Sequence, residues 1–227
     1  MATRVTSARF VGRAAELAEL ESALHAAAEG HPSLAFVAGD SGVGKSRLAE
    51  ELTHRARAYG ARALWGDCVD LGEGELPYAP LLGALRQVVR DGDQALDQLP
   101  PALLGDLGTI LPGLAGEASE GPVAQSRVFE GLLELLEAIG EVTPLVLVIE
   151  DLHWADDSTR HFIRFLTRTM CSERLLVLAT YRSDELHRRH PVRPLVADLT
   201  RDPTNRLIEL SSFTREEMQE QLEDILS

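Results

Sequence analysis

Eight consecutive residues, Gly39-Asp40-Ser41-Gly42-Val43-Gly44-Lys45-Ser46, follow the spacing G-x-x-x-x-G-K-S. Glycines at these positions let the backbone turn successive N–H groups inward, toward an anion. A lysine closing such a loop suits the β- and γ-phosphates of a nucleotide, and the serine hydroxyl beside it suits Mg²⁺. Lys45 is the only lysine in the chain; the rest of its 22 Lys+Arg residues are arginine. A compact ammonium kept among arginines fits a point contact between phosphates better than a planar fork would. The competing reading, a chance match in a turn, is opposed by that solitary lysine and by the flanking sequence. The apolar run Leu34-Ala35-Phe36-Val37-Ala38 precedes the loop, and Arg47-Leu48-Ala49-Glu50-Glu51-Leu52 follows it with helical spacing. Strand, glycine loop and helix form the context a phosphate site requires, and the helix adds its positive N-terminal end.

Two further groups have chemical potential. Glu150 and Asp151 close the continuous apolar run Leu145-Val146-Leu147-Val148-Ile149, which reads as a parallel strand buried on both faces. Open α/β sheets bind ligands at the carboxyl ends of their strands, so these two acids are a candidate Mg²⁺ and water site. The plainer alternative is an acid capping the next helix. A second run, Leu175 to Arg182, ends in Thr180 and Arg182, placed to sense a γ-phosphate at the same edge. An arginine at a strand end is, taken alone, more often simply solvated. His187-Arg188-Arg189-His190 has no metal-ligand spacing and reads as a solvated loop or, failing that, a subunit or partner contact.

The elements that must position these groups follow from periodicity. Phe10-Val11-Gly12-Arg13, whose first two residues read on composition as a hydrophobic anchor, precedes a helix with Leu17, Leu20 and Leu24 on one face, ended by Gly30. The first strand covers about 33–38, and the helix after the loop runs to Tyr59 with Gly60 as its cap. Ala61 to Cys68 reads as a second strand, Gly72 to Pro80 as a loop, and the following residues as a helix through Val89. Residues 91–123, rich in Pro, Gly and acids, read as short surface helices and loops. A helix is expected from Ala124 to Ile139, and another, capped by Asp156-Asp157-Ser158, carrying Phe162, Phe165, Leu166 and Met170. A last strand is expected at Arg206 to Leu210, followed by a helix opened by a Thr214/Glu217 capping box.

Composition narrows the function. A formal charge of −14 argues against direct nucleic-acid binding by this segment, which calls for a basic surface. No apolar run approaches the ~20 residues of a membrane helix, and Met1 to Ser7 lacks an apolar signal region. The two cysteines, Cys68 and Cys171, form no C-x-x-C pair, which points to a reducing cytoplasm and away from zinc.

With these residues in hand, the chain resembles the STAND class of P-loop ATPases, and within it the nucleotide-binding region of large LuxR-type bacterial transcriptional regulators. Phe10 to Arg13 resembles the entry motif that packs against adenine, Gly39 to Ser46 the Walker A loop, and Pro77-Tyr78-Ala79-Pro80 the loop after the second strand. Leu147 to Asp156 looks like an extended Walker B motif with a Leu-His-Trp-Ala-Asp tail, and Thr180-Tyr181-Arg182 like the sensor strand end. The tail is what narrows the family. The resemblance implies a three-layered α/β P-loop fold, AAA-like, with a mostly parallel sheet and the sensor strand between the Walker A and Walker B strands. It implies ATP or ADP with Mg²⁺, bound by Val11, Gly12, Arg13, Gly39, Asp40, Ser41, Gly42, Val43, Gly44, Lys45, Ser46 and Arg47. Ser46, Glu150 and Asp151 would serve the metal; Asp151, Glu150, Lys45 and Arg182 would serve catalysis. Glu150 stands where the family carries aspartate, so the two acids are taken as one acidic site. His153 and Trp154 would line the site or pack at the strand-to-helix junction.

The expected division is an entry motif and helix at 1–32, an ATPase core at 33–211 and the start of a following helical segment at 212–227. The family's helical lid, winged-helix segment, repeats and DNA-binding helix-turn-helix do not follow, so the chain reads as a module cut from a longer regulator or a short relative of one. The implied function is a cytoplasmic regulatory switch that hydrolyses ATP slowly in isolation, with the downstream domains of the same regulator as partners and self-association as an open alternative. Its rivals are a nucleotide-binding assembly module without hydrolysis and a P-loop small-molecule kinase, the latter disfavoured by the tail. A GTPase is excluded, since Lys45 is the sole lysine and no Asn-Lys-x-Asp base reader exists.

Overall fold

The computed structural model describes residues 10–70, 76–114, 116 and 123–226. The expected absence of a signal region at Met1 to Ser7 and the Gly72–Glu75 part of the expected loop fall outside the described residues, as does part of 91–123.

Five strands, β1 (Ser33–Gly39), β2 (Arg62–Asp67), β3 (Leu145–Glu150), β4 (Leu175–Arg182) and β5 (Arg206–Leu210), form one sheet in the order β2-β3-β4-β1-β5. Every pairing is parallel. The order implied by the resemblance, with β4 between β1 and β3, is therefore the one present.

Side chains on a strand alternate between faces, and here both faces are apolar. Leu34, Phe36 and Ala38 of β1 join one core with Leu145, Leu147 and Ile149 of β3, whereas Ala35, Val37, Val146 and Val148 join another on the opposite face. The second core is completed by Leu17, Leu20 and Leu24 of α1 (Ala14–Ala28) and Leu48 and Leu52 of α2 (Lys45–Ala58). The first is completed by α3 (Ala79–Arg90), α4 (Pro101–Gly108), α5 (Gln125–Val142), α6 (Asp157–Thr169) and α7 (Val192–Leu199). This gives three layers, helix–sheet–helix.

The helix boundaries carry readable chemistry. Asp156 caps α6 by accepting from Thr159 N–H at 2.9 Å. The α6 helix stops at Thr169, so Met170 is its C-cap rather than a residue within it. Before α8 (Arg215–Leu226), Thr214 N–H donates to Glu217 Oε2 at 2.8 Å and Glu217 N–H to Thr214 Oγ1 at 3.2 Å, the reciprocal capping box.

Sheet register then sets the site. Gly39 lies beside Arg182 and Leu210, and Asp67 beside Glu150, so the loops leaving the strands line one carboxyl edge. That edge is where doubly wound sheets accept ligands.

Candidate nucleotide site

The phosphate loop leaves β1 at Gly39 and enters α2 at Lys45, with Gly42 and Gly44 at φ 83° and 102°. A side chain at either would be strained in this left-handed region. Gly44 is the N-cap, no side chain caps the first turn of α2, and no acid lies in that turn. The orphan N–H groups of a helix start are thus left to the solvent side, where an anion is favoured by the helix dipole. Lys45 is buried, and its Nζ donates to Gly39 O and Asp40 O, each at 2.8 Å. An ammonium has three donors, so the loop's own carbonyls orient it without using its full capacity. Burial lowers its pKa, opposed by the nearby charge of Asp151.

The acids arrive from β3. Burial raises the pKa of Glu150, while hydrogen bonds from the Ser46 hydroxyl and the Trp65 side chain pull it down. Ser46 and Glu150, both expected at the metal, are therefore in direct contact. Asp151 has φ 52°, an uncommon left-handed conformation for a non-glycine residue, and its N–H donates to Thr180 Oγ1 at 3.1 Å. Such backbone persists where the surroundings over-determine it, and β4 supplies that hold. Arg182 Nε lies 3.8 Å from Asp151 Oδ1, and its guanidinium carbon lies 5.6 Å from the centre of the Trp154 ring. Asp151 and Arg182 are both close enough to act electrostatically on Lys45. An oxygen pair from Ser46 and Glu150 beside the Asp151 carboxylate is the hard-donor set that Mg²⁺ takes.

His153 packs at the strand-to-helix junction. It is buried, with Nδ1 accepting from Arg182 N–H at 3.4 Å, while Trp154 is 40% exposed.

On the other side of the loop lies a cavity of about 400 Å³ lined by Phe10, Val11, Arg13, Ser41, Gly42, Val43, Gly44 and Arg47. Ser212, Phe213, Met218 and Gln221 complete it from the chain after β5. Arg13 closes one wall: it pairs with Glu16 at 3.1 Å, donates to Ser211 O, and stands 4.9 Å from the Phe213 ring centre. Of the residues expected to bind nucleotide, Gly12, Gly39, Asp40, Lys45 and Ser46 do not line this cavity. Gly12 instead has φ 67° and allows Glu217 and Phe213 to come close; a Cβ there would stand 2.9 Å from Glu217 Oε1. Glu150, Asp151 and Arg182 also stand apart from it, at the carboxyl ends of β3 and β4. The site thus has an apolar end beside the loop and a charged end beneath it.

Sequence reasoning missed Phe213, Met218, Gln221, Trp65 and Glu185. The first three reach the cavity because β5 pairs in parallel beside β1, a tertiary event with no local signal.

Comparison with known proteins assigns the family. Residues 9–178 match the AAA ATPase domain family, and the chain belongs to it. An uncharacterized protein of Rhizobium meliloti, R02095, is 30% identical over an alignment covering 76% of this chain. The chain spans only 19% of that relative's length. The structure of Drosophila ORC bound to DNA is similar over 99% of this chain and 48% of its own, at 14% identity and a TM-score of 0.59. A STAND protein with a tetratricopeptide repeat sensor from Pyrococcus horikoshii aligns over 97% of this chain and 26% of its own, at 16% identity and a TM-score of 0.49. At 14% identity the likeness to the Drosophila structure is one of fold. Among the described residues, no helix is long and apolar enough to cross a membrane.

Proposed function

We propose that this domain is a regulatory ATPase switch that binds ATP and ADP with Mg²⁺ and hydrolyses ATP slowly in isolation. One observation carries the reading: Lys45, the Ser46–Glu150 contact and the Asp151–Arg182 pair converge at one sheet edge, beside an uncapped helix start and an apolar cavity. The cavity, with Phe10 and Phe213 in its wall, takes the base; the loop and Lys45 take the phosphates. Ser46 and Glu150 would hold Mg²⁺, which neutralises charge on the β- and γ-phosphates when bound. Asp151 orients a water for in-line attack on the γ-phosphorus; the bond to the bridging oxygen breaks, giving ADP and inorganic phosphate. Lys45 and Arg182 stabilise the charge that develops on the transferred group.

The finer assignment, to the STAND class and to a LuxR-type transcriptional regulator of the cytoplasm, is supported by Leu152-His153-Trp154-Ala155-Asp156 following the β3 acids. The regulator's further domains would be its partners, and the two nucleotide states would differ in how this core meets them. A second reading, binding without hydrolysis, is favoured by one feature: Arg182 is also engaged by Glu185, at 2.6 Å. Single-turnover phosphate release from bound ATP separates the two. Release by the native chain that is lost in Asp151→Asn supports hydrolysis; no release in either, with nucleotide retained, supports the binding module.

A further inference from the structure

Arg182 sits inside a clamp. Its Nη1 lies 2.6 Å from Glu185 Oε1, and its Nε lies 3.8 Å from Asp151 Oδ1. Glu185 is gripped on its other oxygen too, with Oε2 3.1 Å from His153 Nε2. That imidazole is buried, and its Nδ1 accepts from the backbone N–H of Arg182. A neutral imidazole that accepts at Nδ1 carries its proton on Nε2, which therefore faces Glu185. The contact is short but not aligned as a full hydrogen bond, so its pull is mainly electrostatic. One carboxylate is thus held by two side chains that are themselves joined through the Arg182 backbone.

The Arg182–Glu185 pair is partly exposed, at 30% and 34% of the two side chains. Pairs of this kind are weak, whereas a guanidinium on a phosphate forms strong charge-assisted bonds. Glu185 therefore competes for Arg182 without being able to exclude a γ-phosphate. Resting on the reading of Arg182 as γ-phosphate sensor, we propose that Glu185 is a positioning residue that sets discrimination between ATP and ADP, through its hold on Arg182. ADP leaves the pair undisturbed. ATP must draw on an arginine whose charge two carboxylates already offset, and it brings its γ-phosphate near them, so the preference for ATP is restrained. The repulsion is Coulombic and acts only on the nucleotide with the extra charges.

The test is equilibrium titration of the whole chain with ATP and with ADP in Mg²⁺ buffer, read as the ratio of the ADP and ATP dissociation constants. Glu185→Gln should raise that ratio about fivefold. Glu185→Asp, too short to reach both Arg182 and His153, should raise it by less. Combining Glu185→Gln with Arg182→Ala should erase the gain, since the effect passes through Arg182. A ratio unchanged in Glu185→Gln but lowered in Arg182→Ala overturns the clamp and leaves Arg182 as the sensor. A ratio unchanged in both overturns the clamp and the sensor reading together.

Discussion

Replacing Lys45 with methionine keeps an unbranched side chain, shorter by the ammonium nitrogen, and removes its charge, and the structure lets the consequence be worked through. The Nζ is oriented by Gly39 O and Asp40 O, so a phosphate meets an ammonium already in place. Charge-assisted hydrogen bonds contribute about 1.5–3 kcal/mol each, and losing two at the low end of that range, to the β- and γ-phosphates, should weaken ATP binding roughly 100-fold. At a free ATP concentration 100 times the native dissociation constant, ligand stabilises the native chain by about 2.7 kcal/mol. In a domain of this size that raises Tm by about 5–10 °C. The variant at the same ATP concentration should gain about 1 °C.

The unliganded variant supplies the control. Burial lowers the pKa of Lys45, so its charge disfavours the fold below the folded-state pKa, a cost relieved progressively as pH rises from that value to the unfolded-state pKa. Removing the charge at pH 7 should not lower the unliganded Tm. Nor is Gly39 O orphaned, because it also accepts from Ser183 N–H at 3.2 Å. Thermal melts of both proteins with and without ATP decide the matter. An ATP-induced shift retained in full by the methionine variant would refute the placement of the phosphates.

Other consequences are equally specific. Phe213→Ala, in the wall of the apolar cavity, should weaken ATP and ADP by the same factor, roughly tenfold, since the base end is common to both. Calorimetric titration checks this, and unequal losses would move Phe213 to the phosphate end. Asn205→Ala should cost about 2 kcal/mol, because the buried amide accepts from Leu34 N–H at 2.9 Å and donates to Leu199 O at 2.8 Å. Denaturant unfolding should show a lower midpoint with an unchanged slope. Gly12→Ala should cost about 1 kcal/mol from its positive φ, with a further penalty from Glu217 Oε1 at 2.9 Å from the new Cβ. In the Glu217→Ala background, itself less stable for want of its capping bond, Gly12→Ala should cost only the positive-φ part.

Much of the charged end was legible in the chain because phosphate chemistry demands particular residue types at fixed local spacing. The loop from Gly39 to Ser46 carries that demand within eight residues, and Glu150 and Arg182 are marked by ending runs that had to be buried strands. The parallel sheet was legible for a related reason: runs apolar at every position need cover on both faces. The apolar end was not legible. Phe213 lies just before the expected last helix and Met218 within it, and neither carries a local mark of the site until β5 docks beside β1 and brings them to the loop. Glu185 carried no local signal, since nothing in its neighbourhood of the sequence shows that its second oxygen meets a buried histidine from the β3–α6 junction. Nor was the close approach of Glu217 and Phe213 to Gly12 legible, since it joins two segments far apart in the chain.

A structure of the chain bound to a non-hydrolysable ATP analogue and Mg²⁺ tests the central claim most directly. The expected result has the β- and γ-phosphates at the N-terminus of α2 on Lys45, the metal at Ser46 and Glu150, and the base between Phe10 and Phe213. Phosphates held away from Lys45, or a base outside that cavity, would contradict it.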